Sequence, residues 1–194
     1  MFDPLSRLLC PYRGFRRCFG DGAVAAGRLP DLLVVGVDST RRWRHRHGEI
    51  SPAQVDAVSR RLRRAQAGQL RVVVVHHPLD VATRADEADI ARGAREAVTA
   101  WALAGADLVL SGHVHAALCR PLAERYGPVA RGCWTALAGT ATSRRLRGGH
   151  PNSVKVIRHA LVAGERRCSV ERLDYDEACG AFRPVAVQAL DIGG

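Results

Sequence analysis

The pattern of apolar and polar positions divides the chain into two regimes. Leu32 to Val37 (LLVVGV) is a short continuous apolar run, as a buried strand has. Ser51-Pro52-Ala53-Gln54 opens a helix: serine caps, proline suits the first helical position, and glutamine three residues after the cap completes a capping box. Val55, Val58 and Leu62 then share one face with arginines opposite, and Gly68 is the expected stop. Leu70 to Val75 (LRVVVV) holds four consecutive valines and suits a strand covered on both faces; Pro78 ends it. A second helix is expected over Asp89 to Ala104, with Ile90, Ala94, Ala97, Val98 and Trp101 on one face. Asp107 to Leu110 (DLVL) is the next strand.

Strand–helix–strand thus occurs twice in succession, which predicts an α/β fold built on parallel βαβ units. Beyond residue 115 the helical spacing stops. Cys133 to Ala138, Val154 to Val162 and Cys168 to Tyr175 read as strands, the last two joined by a turn containing Ala163-Gly164-Glu165. A more antiparallel C-terminal sheet is therefore expected. Residues 1–30, rich in Arg, Gly and Pro, are expected to be irregular, with the folded domain over 31–194.

Composition narrows the class. Hydrophobic residues make up 47% and charged residues 25% of the 194 residues, which fits one globular domain and excludes disorder over the whole length. No apolar run reaches the roughly 18 residues a membrane span needs. Residues 1–20 carry no apolar core of a secretory signal, so the expected compartment is the cytoplasm. The net charge is +10, and Lys155 is the one lysine among the basic residues. Abundant Arg, Ala, Val and Gly reflect GC-rich codons. The arginines are scattered and no aromatics alternate with them, which argues against a nucleic-acid-binding surface. A positive field would still attract a phosphate-bearing substrate. The cysteines at 10, 18, 119, 133, 168 and 179 form no C-x-x-C pair, so free thiols are expected.

The candidate chemistry lies at two strand ends. His76 follows the valine strand, and His113 follows the next strand after one helical crossover. Ligands of open α/β sheets bind beyond the carboxyl ends of the strands. Adjacent strands lie about 4.8 Å apart, close enough for these imidazoles to meet. His113 and His115 are i and i+2, so an extended backbone would put both on one side. Gly112 is expected to free the turn before them and let a metal approach the backbone. One histidine at a strand end is usually a hydrogen-bonded structural residue. Three converging on one sheet edge make a transition-metal site the better reading.

Val75-His76-His77-Pro78 followed by Gly112-His113-Val114-His115 resembles the calcineurin-like metallophosphoesterase family, in particular its cyclic-nucleotide and glycerophosphodiester phosphodiesterase branch. Val37-Asp38-Ser39-Thr40, the Gly48…Gln54 helix opening, Ser143-Arg144-Arg145 and Pro151-Asn152-Ser153 are similar to that branch too, so the resemblance runs from about Pro11 to Phe182. It implies an αββα sandwich and a phosphoesterase that hydrolyses phosphodiesters or phosphomonoesters. It further implies two metals (Mn, Fe or Zn) bridged by a carboxylate and by the hydroxide that attacks phosphorus. Carried over by position, His76 and His113 are ligands of the second metal and His115 of the first, while His77 either supports a ligand or faces the substrate; Arg144 is a candidate phosphate contact from its loop.

The sequence also departs from the family. Asp-x-His, Gly-Asp-x-x-Asp and Gly-Asn-His do not occur in it. Gly20-Asp21-Gly22-Ala23-Val24 begins like the second but has valine at the second acid. The chain therefore reads as the C-terminal half of such a domain, whose partner would be the N-terminal half, whether through a misplaced start or as a degenerate copy. Without the bridging carboxylate, one weakly held metal and no two-metal hydrolysis are expected, together with an uncovered sheet edge and apolar surface. The alternatives are a non-catalytic interaction module of the same fold and a basic nucleic-acid-binding domain. Among other residues, Asp38 has a turn cap as its commonest reading, and Arg144, Arg145 and Arg147 belong to a loop that is either solvated or phosphate-facing. His150 is within reach of the site from that loop. His45, His47 and His159 read as surface residues, and Trp43, Trp101 and Trp134 as packing residues.

Overall fold

A computed structural model of the chain describes residues 17, 24–41, 47–129, 132–143 and 149–192. Its strands are β1 (Val24–Leu29), β2 (Leu32–Val37), β3 (Leu70–Val75), β4 (Leu108–Ser111), β5 (Leu118–Pro121), β6 (Trp134–Leu137), β7 (Ser153–Val162), β8 (Glu165–Asp176) and β9 (Ala181–Leu190). Its helices are α1 (Pro52–Leu62), a 3-10 helix (Arg84–Asp89), α2 (Ala94–Leu103) and the single turn α3 (Ala123–Tyr126). The first six strands form one mixed sheet, ordered β1-β2-β3-β4-β6-β5, and the last three form a second sheet, β7-β8-β9. Pairs β2–β3, β3–β4 and β4–β6 are parallel; β1 and β5 run antiparallel on the edges. The fold is α/β, with a mostly parallel sheet followed by an antiparallel one.

Side-chain alternation sorts the layers. Leu33, Val35 and Val37 of β2, Val73 and Val75 of β3 and Val109 of β4 share a core with Val58 and Leu62 of α1 and Ala97, Val98 and Trp101 of α2. Leu70, Val72 and Leu108 face the other way, against Cys168, Val170 and Leu190 of the second sheet. Three of the four valines of β3 are thus divided between two cores, Val73 and Val75 on one face and Val72 on the other, while Val74 is 38% exposed. Trp101 is fully buried and its indole N–H donates to the Val55 carbonyl at 3.3 Å, pinning α2 to α1. The layers run helix–sheet–sheet; among the described residues no helix covers the outer face of β7-β8-β9, and Val185 and Val187 are 50% and 67% exposed there. No helix among the described residues is long and apolar enough to cross a membrane.

Local chemistry explains most boundaries. The capping box forms as expected: Ser51 Oγ accepts from Gln54 N–H at 3.3 Å, and Gln54 Oε1 accepts from Ser51 N–H at 3.0 Å. The Gln54 amide also donates to the Asp38 carbonyl at 2.6 Å, tying the start of α1 to the loop after β2. Ser51→Ala is expected to lower stability by about 1 kcal/mol, measurable as a reduced urea midpoint at unchanged slope. Ala163 and Gly164 both have positive φ (52° and 82°), the geometry of a two-residue hairpin whose twist matches its strands.

Three boundaries differ from expectation. Val24–Leu29, placed in the irregular N-terminal segment, is a strand; it covers one edge of β2 through a hairpin turning at Pro30-Asp31. Helix α1 ends at Leu62 rather than Gly68. Helix α2 begins at Ala94 rather than Asp89, because the preceding segment is used elsewhere: Arg92 N–H donates to the Gly48 carbonyl and Ile50 N–H to the Arg92 carbonyl, each at 2.9 Å. Gly93 turns the chain from that bridge into the helix at φ 76°, where a Cβ would lie 2.5 Å from the Ile50 carbonyl oxygen.

Candidate metal centre

Parallel pairing of β3 with β4 aligns Val74 with Leu110, so both strands deliver their next residues to the same edge. The junction is stitched by Gly112 N–H donating to the His76 carbonyl at 3.1 Å. Beyond Gly112 the backbone is not extended, contrary to expectation. His113 and His115 have φ of 72° and 60°, and Val114 N–H donates to the Gly112 carbonyl at 2.9 Å across His113. This three-residue turn has the hydrogen bond and the positive φ of the strained γ-turn. Two non-glycine residues in the left-handed region cost about 1–3 kcal/mol each and persist only where their surroundings hold them. The left-handed torsion falls on His113, not on Gly112. A Cβ at Gly112 would meet nothing within 4 Å, so the space beside it is open.

The turn aims His113 at His76. His113 Nδ1 lies 3.2 Å from His76 Nε2, and the ring centroids are 5.1 Å apart. His77 joins them, with its centroid 4.9 Å from that of His76 and 4.7 Å from that of His113. One nitrogen from each of the three rings lies within 4.8 Å of the others. His77 is buried, and Ser39 Oγ accepts its backbone N–H at 3.2 Å and meets its Nδ1 at 2.8 Å. A Cβ on Gly48 would lie 2.6 Å from His77 Cβ and closer still to its ring, so Gly48 is small because His77 packs against it. His115 is not one of the three clustered rings. It lies near enough to His76 to help depress its pKa, and its Nδ1 is buried without a hydrogen-bond partner.

The electrostatics favour neutral rings at His76 and His77. Burial first, then the positive charge His113 and His115 would carry, lower the His76 pKa. Burial, His113 and His76 together lower His77 to about 4, against smaller upward pulls from Asp89 and Asp38. A metal ligand must be deprotonated, and these shifts favour that state at His76 and His77. Three converging imidazole nitrogens fit a borderline transition metal, and Zn, Mn and Fe all accept imidazole. With Nε2 of His77 turned to a metal, its Nδ1–H would donate to Ser39 Oγ, the orienting partner such ligands ordinarily have.

No protein-family model matches the chain. No curated protein matches it either. Among solved structures it is distantly similar to wild-type Vps29 from Entamoeba histolytica complexed with Zn2+, at 13% identity over 82% of this chain and 99% of that one, with a TM-score of 0.31. A single mutant of the same Vps29 is 12% identical over 81% of this chain and 98% of that one, with a TM-score of 0.32.

Other expected residues fall in varied places. Asp38 caps its turn: its Oδ1 accepts from Thr40 N–H at 2.9 Å and from the Thr40 hydroxyl at 2.5 Å. It nonetheless lies near enough to raise the His77 pKa. Arg144, Arg145, Arg147, His45, Trp43 and Gly20-Asp21-Gly22 lie outside the described residues. His150 is exposed. His47 Nδ1 lies 2.8 Å from the Ala88 carbonyl, and His159 Nε2 lies 3.0 Å from that of Gly68. Trp134 packs between the sheets, its indole N–H donating to the Asp191 carbonyl at 3.1 Å. The sequence pattern does not mark two residues beside the cluster as site residues: Gly48 belongs to the motif that opens α1, and Asp89 starts the expected second helix.

Proposed function

We propose that the chain binds one divalent transition metal on His76, His77 and His113, as the metal-holding part of a phosphoesterase that acts on phosphate esters. The convergence of three imidazoles at the carboxyl edge of two adjacent parallel strands carries this reading. The motif resemblance supplies the reaction class, and the net charge of +10 favours approach of an anionic ester. A bound cation would supply Lewis acidity toward a phosphoryl oxygen. The protein's part is to hold the rings: β3 and β4 fix the two backbones, the turn at His113 aims one imidazole, and Ser39 with Gly48 fixes another. His76, the most exposed of the cluster, faces solvent.

The sequence carries none of the acidic and asparagine motifs that would hold a second ion, so a stoichiometry of one is expected. Calorimetric titration of Mn2+ and of Zn2+ into the chain tests this. One weak site per chain, lost in the His76→Ala/His113→Ala double variant, is the expected result. No binding, or binding that survives in that variant, overturns the site, and two tight sites overturn the stoichiometry. Hydrolysis of aryl phosphate mono- and diesters by this chain alone is expected to stay at the uncatalysed rate.

A further inference from the structure

The two ring nitrogens of His113 face different neighbours. Nδ1 lies 3.2 Å from His76 Nε2, inside the cluster. Nε2 lies 3.7 Å from Oδ1 of Asp89, the last residue of the 3-10 helix. Asp89 is 9% exposed, so water screens it little. At 3.7 Å the two atoms face each other at a distance longer than a hydrogen bond.

We infer that Asp89 is a positioning residue: its carboxylate holds the proton of neutral His113 on Nε2 and so keeps the Nδ1 lone pair directed at the metal. This rests on the metal reading of the cluster, but the tautomer it predicts belongs to the metal-free protein as well.

Neutral imidazole carries one N–H and one lone pair, and which nitrogen has which is set by the neighbours. A carboxylate accepts only, so Nε2 facing Asp89 is favoured as the donor. Nδ1 is then the acceptor, and it points at the other two rings. A carboxylate behind a ligating histidine is the usual means of fixing ring orientation and raising basicity. The backbone adds a reason for it here. His113 sits at φ 72°, a torsion that does not hold itself, and a partner on the far side of the ring restrains it.

Asp89 is in turn held in place from its own segment. Glu87 of the same 3-10 helix pairs with Arg125 at 3.1 Å, Ile90 N–H donates to the Glu87 carbonyl at 3.3 Å, and Ala91 N–H donates to the Pro78 carbonyl at 2.9 Å. The segment that the sequence reads as the start of a regular helix is therefore bent so that Asp89 faces the histidines. Asp86, on the same helix, is half-buried and instead accepts the Thr83 hydroxyl at 2.7 Å, which makes it the natural control.

The test uses the full chain in two arms. In the metal-free protein, long-range proton–nitrogen correlation of the imidazoles, with His113 assigned by loss of its signals in His113→Gln, is expected to show His113 protonated on Nε2. Asp89→Ala and Asp89→Asn are expected to shift it toward a mixture, while Asp86→Asn leaves it unchanged. In the second arm, Mn2+ and Zn2+ affinity is expected to fall about 10- to 100-fold in Asp89→Ala at unchanged stoichiometry. An unaltered His113 tautomer in a folded Asp89 variant overturns the inference, as does wild-type affinity in Asp89→Ala. If the wild-type chain binds neither metal but the tautomer still depends on Asp89, the metal reading falls and the positioning role stands.

Discussion

Gly48→Ala is expected to lower metal affinity by about 10- to 100-fold and stability by about 1–3 kcal/mol. The reason is that neither side of the contact can give way. An added Cβ would lie 2.6 Å from His77 Cβ, and because Cβ does not move when the ring rotates, no change of rotamer relieves it. His77 is held by Ser39 Oγ through its backbone N–H at 3.2 Å and its ring at 2.8 Å. On the other side, the Gly48 carbonyl accepts Arg92 N–H and the Glu49 N–H donates to the Ser39 carbonyl, both at 2.9 Å. The backbone must shift on one side or the other, and either shift moves His77 against His76 and His113. Gly36→Ala is the control: it lies in β2, and a Cβ there meets nothing within 4 Å. Titration calorimetry and urea unfolding of both variants decide the matter. Wild-type affinity and stability in Gly48→Ala would show that His77 is neither tightly packed nor needed by the cluster.

That contact was illegible in the sequence, whereas the meeting of His76 and His113 was not. Two apolar runs joined by one helix predict adjacent parallel strands, and residues ending adjacent parallel strands meet at one edge. Period and local caps carry that argument, and the Ser51–Gln54 box and the valine strand follow the same logic. What failed needed knowledge of the surroundings. Strict alternation along an extended chain would send His76 and His77 to opposite sides, but the chain bends after Val75 and Ser39 captures the second ring. The i, i+2 spacing predicts an extended backbone at His113 and His115, yet both are left-handed, a conformation that non-glycine residues adopt only under tertiary constraint. Strand β1 (VAAGRL) has too little apolar contrast to be seen alone; it forms because β2 offers it an edge. Strand β9 was hidden by Pro184, which sits where β8 and β9 slip register between Arg172 and Leu173.

The segment that carries Asp89 leans on a second buried carboxylate, and removing that one should have the largest effect on folding. Asp80 is fully buried. Its Oδ2 accepts Arg120 Nε at 2.7 Å, and its Oδ1 accepts Arg120 Nη2 at 2.7 Å, Arg125 Nε at 2.5 Å and its neighbour Val81 N–H at 2.8 Å. The Tyr126 hydroxyl donates to the Leu79 carbonyl beside it. These bonds join the loop after β3 to β5 and α3, and Arg125 continues to Glu87 on the 3-10 helix. Asp80→Ala leaves two guanidinium groups without their shared anion. Breaking a buried pair from one side costs about 3–5 kcal/mol; because both arginines keep some solvent contact, the lower end, about 3 kcal/mol, is expected at pH 7. The pH dependence has a definite sign. Burial alone would raise the Asp80 pKa, but the hydrogen bonds from Arg120 and Arg125 and the charge of Arg120 outweigh it, and the net direction is down. The unfolded chain therefore takes up this proton before the folded one does. Asp80's stabilisation is fully present above the ordinary aspartate pKa of about 4 and is lost as pH falls through its depressed folded value. Urea unfolding at pH 7 and at pH 3 should then show the gap between wild type and Asp80→Ala beginning to close at the lower pH. Equal stabilities at pH 7 would mean that the paired arginines are as well served by water as by Asp80, and the loop carrying Asp89 would need another anchor.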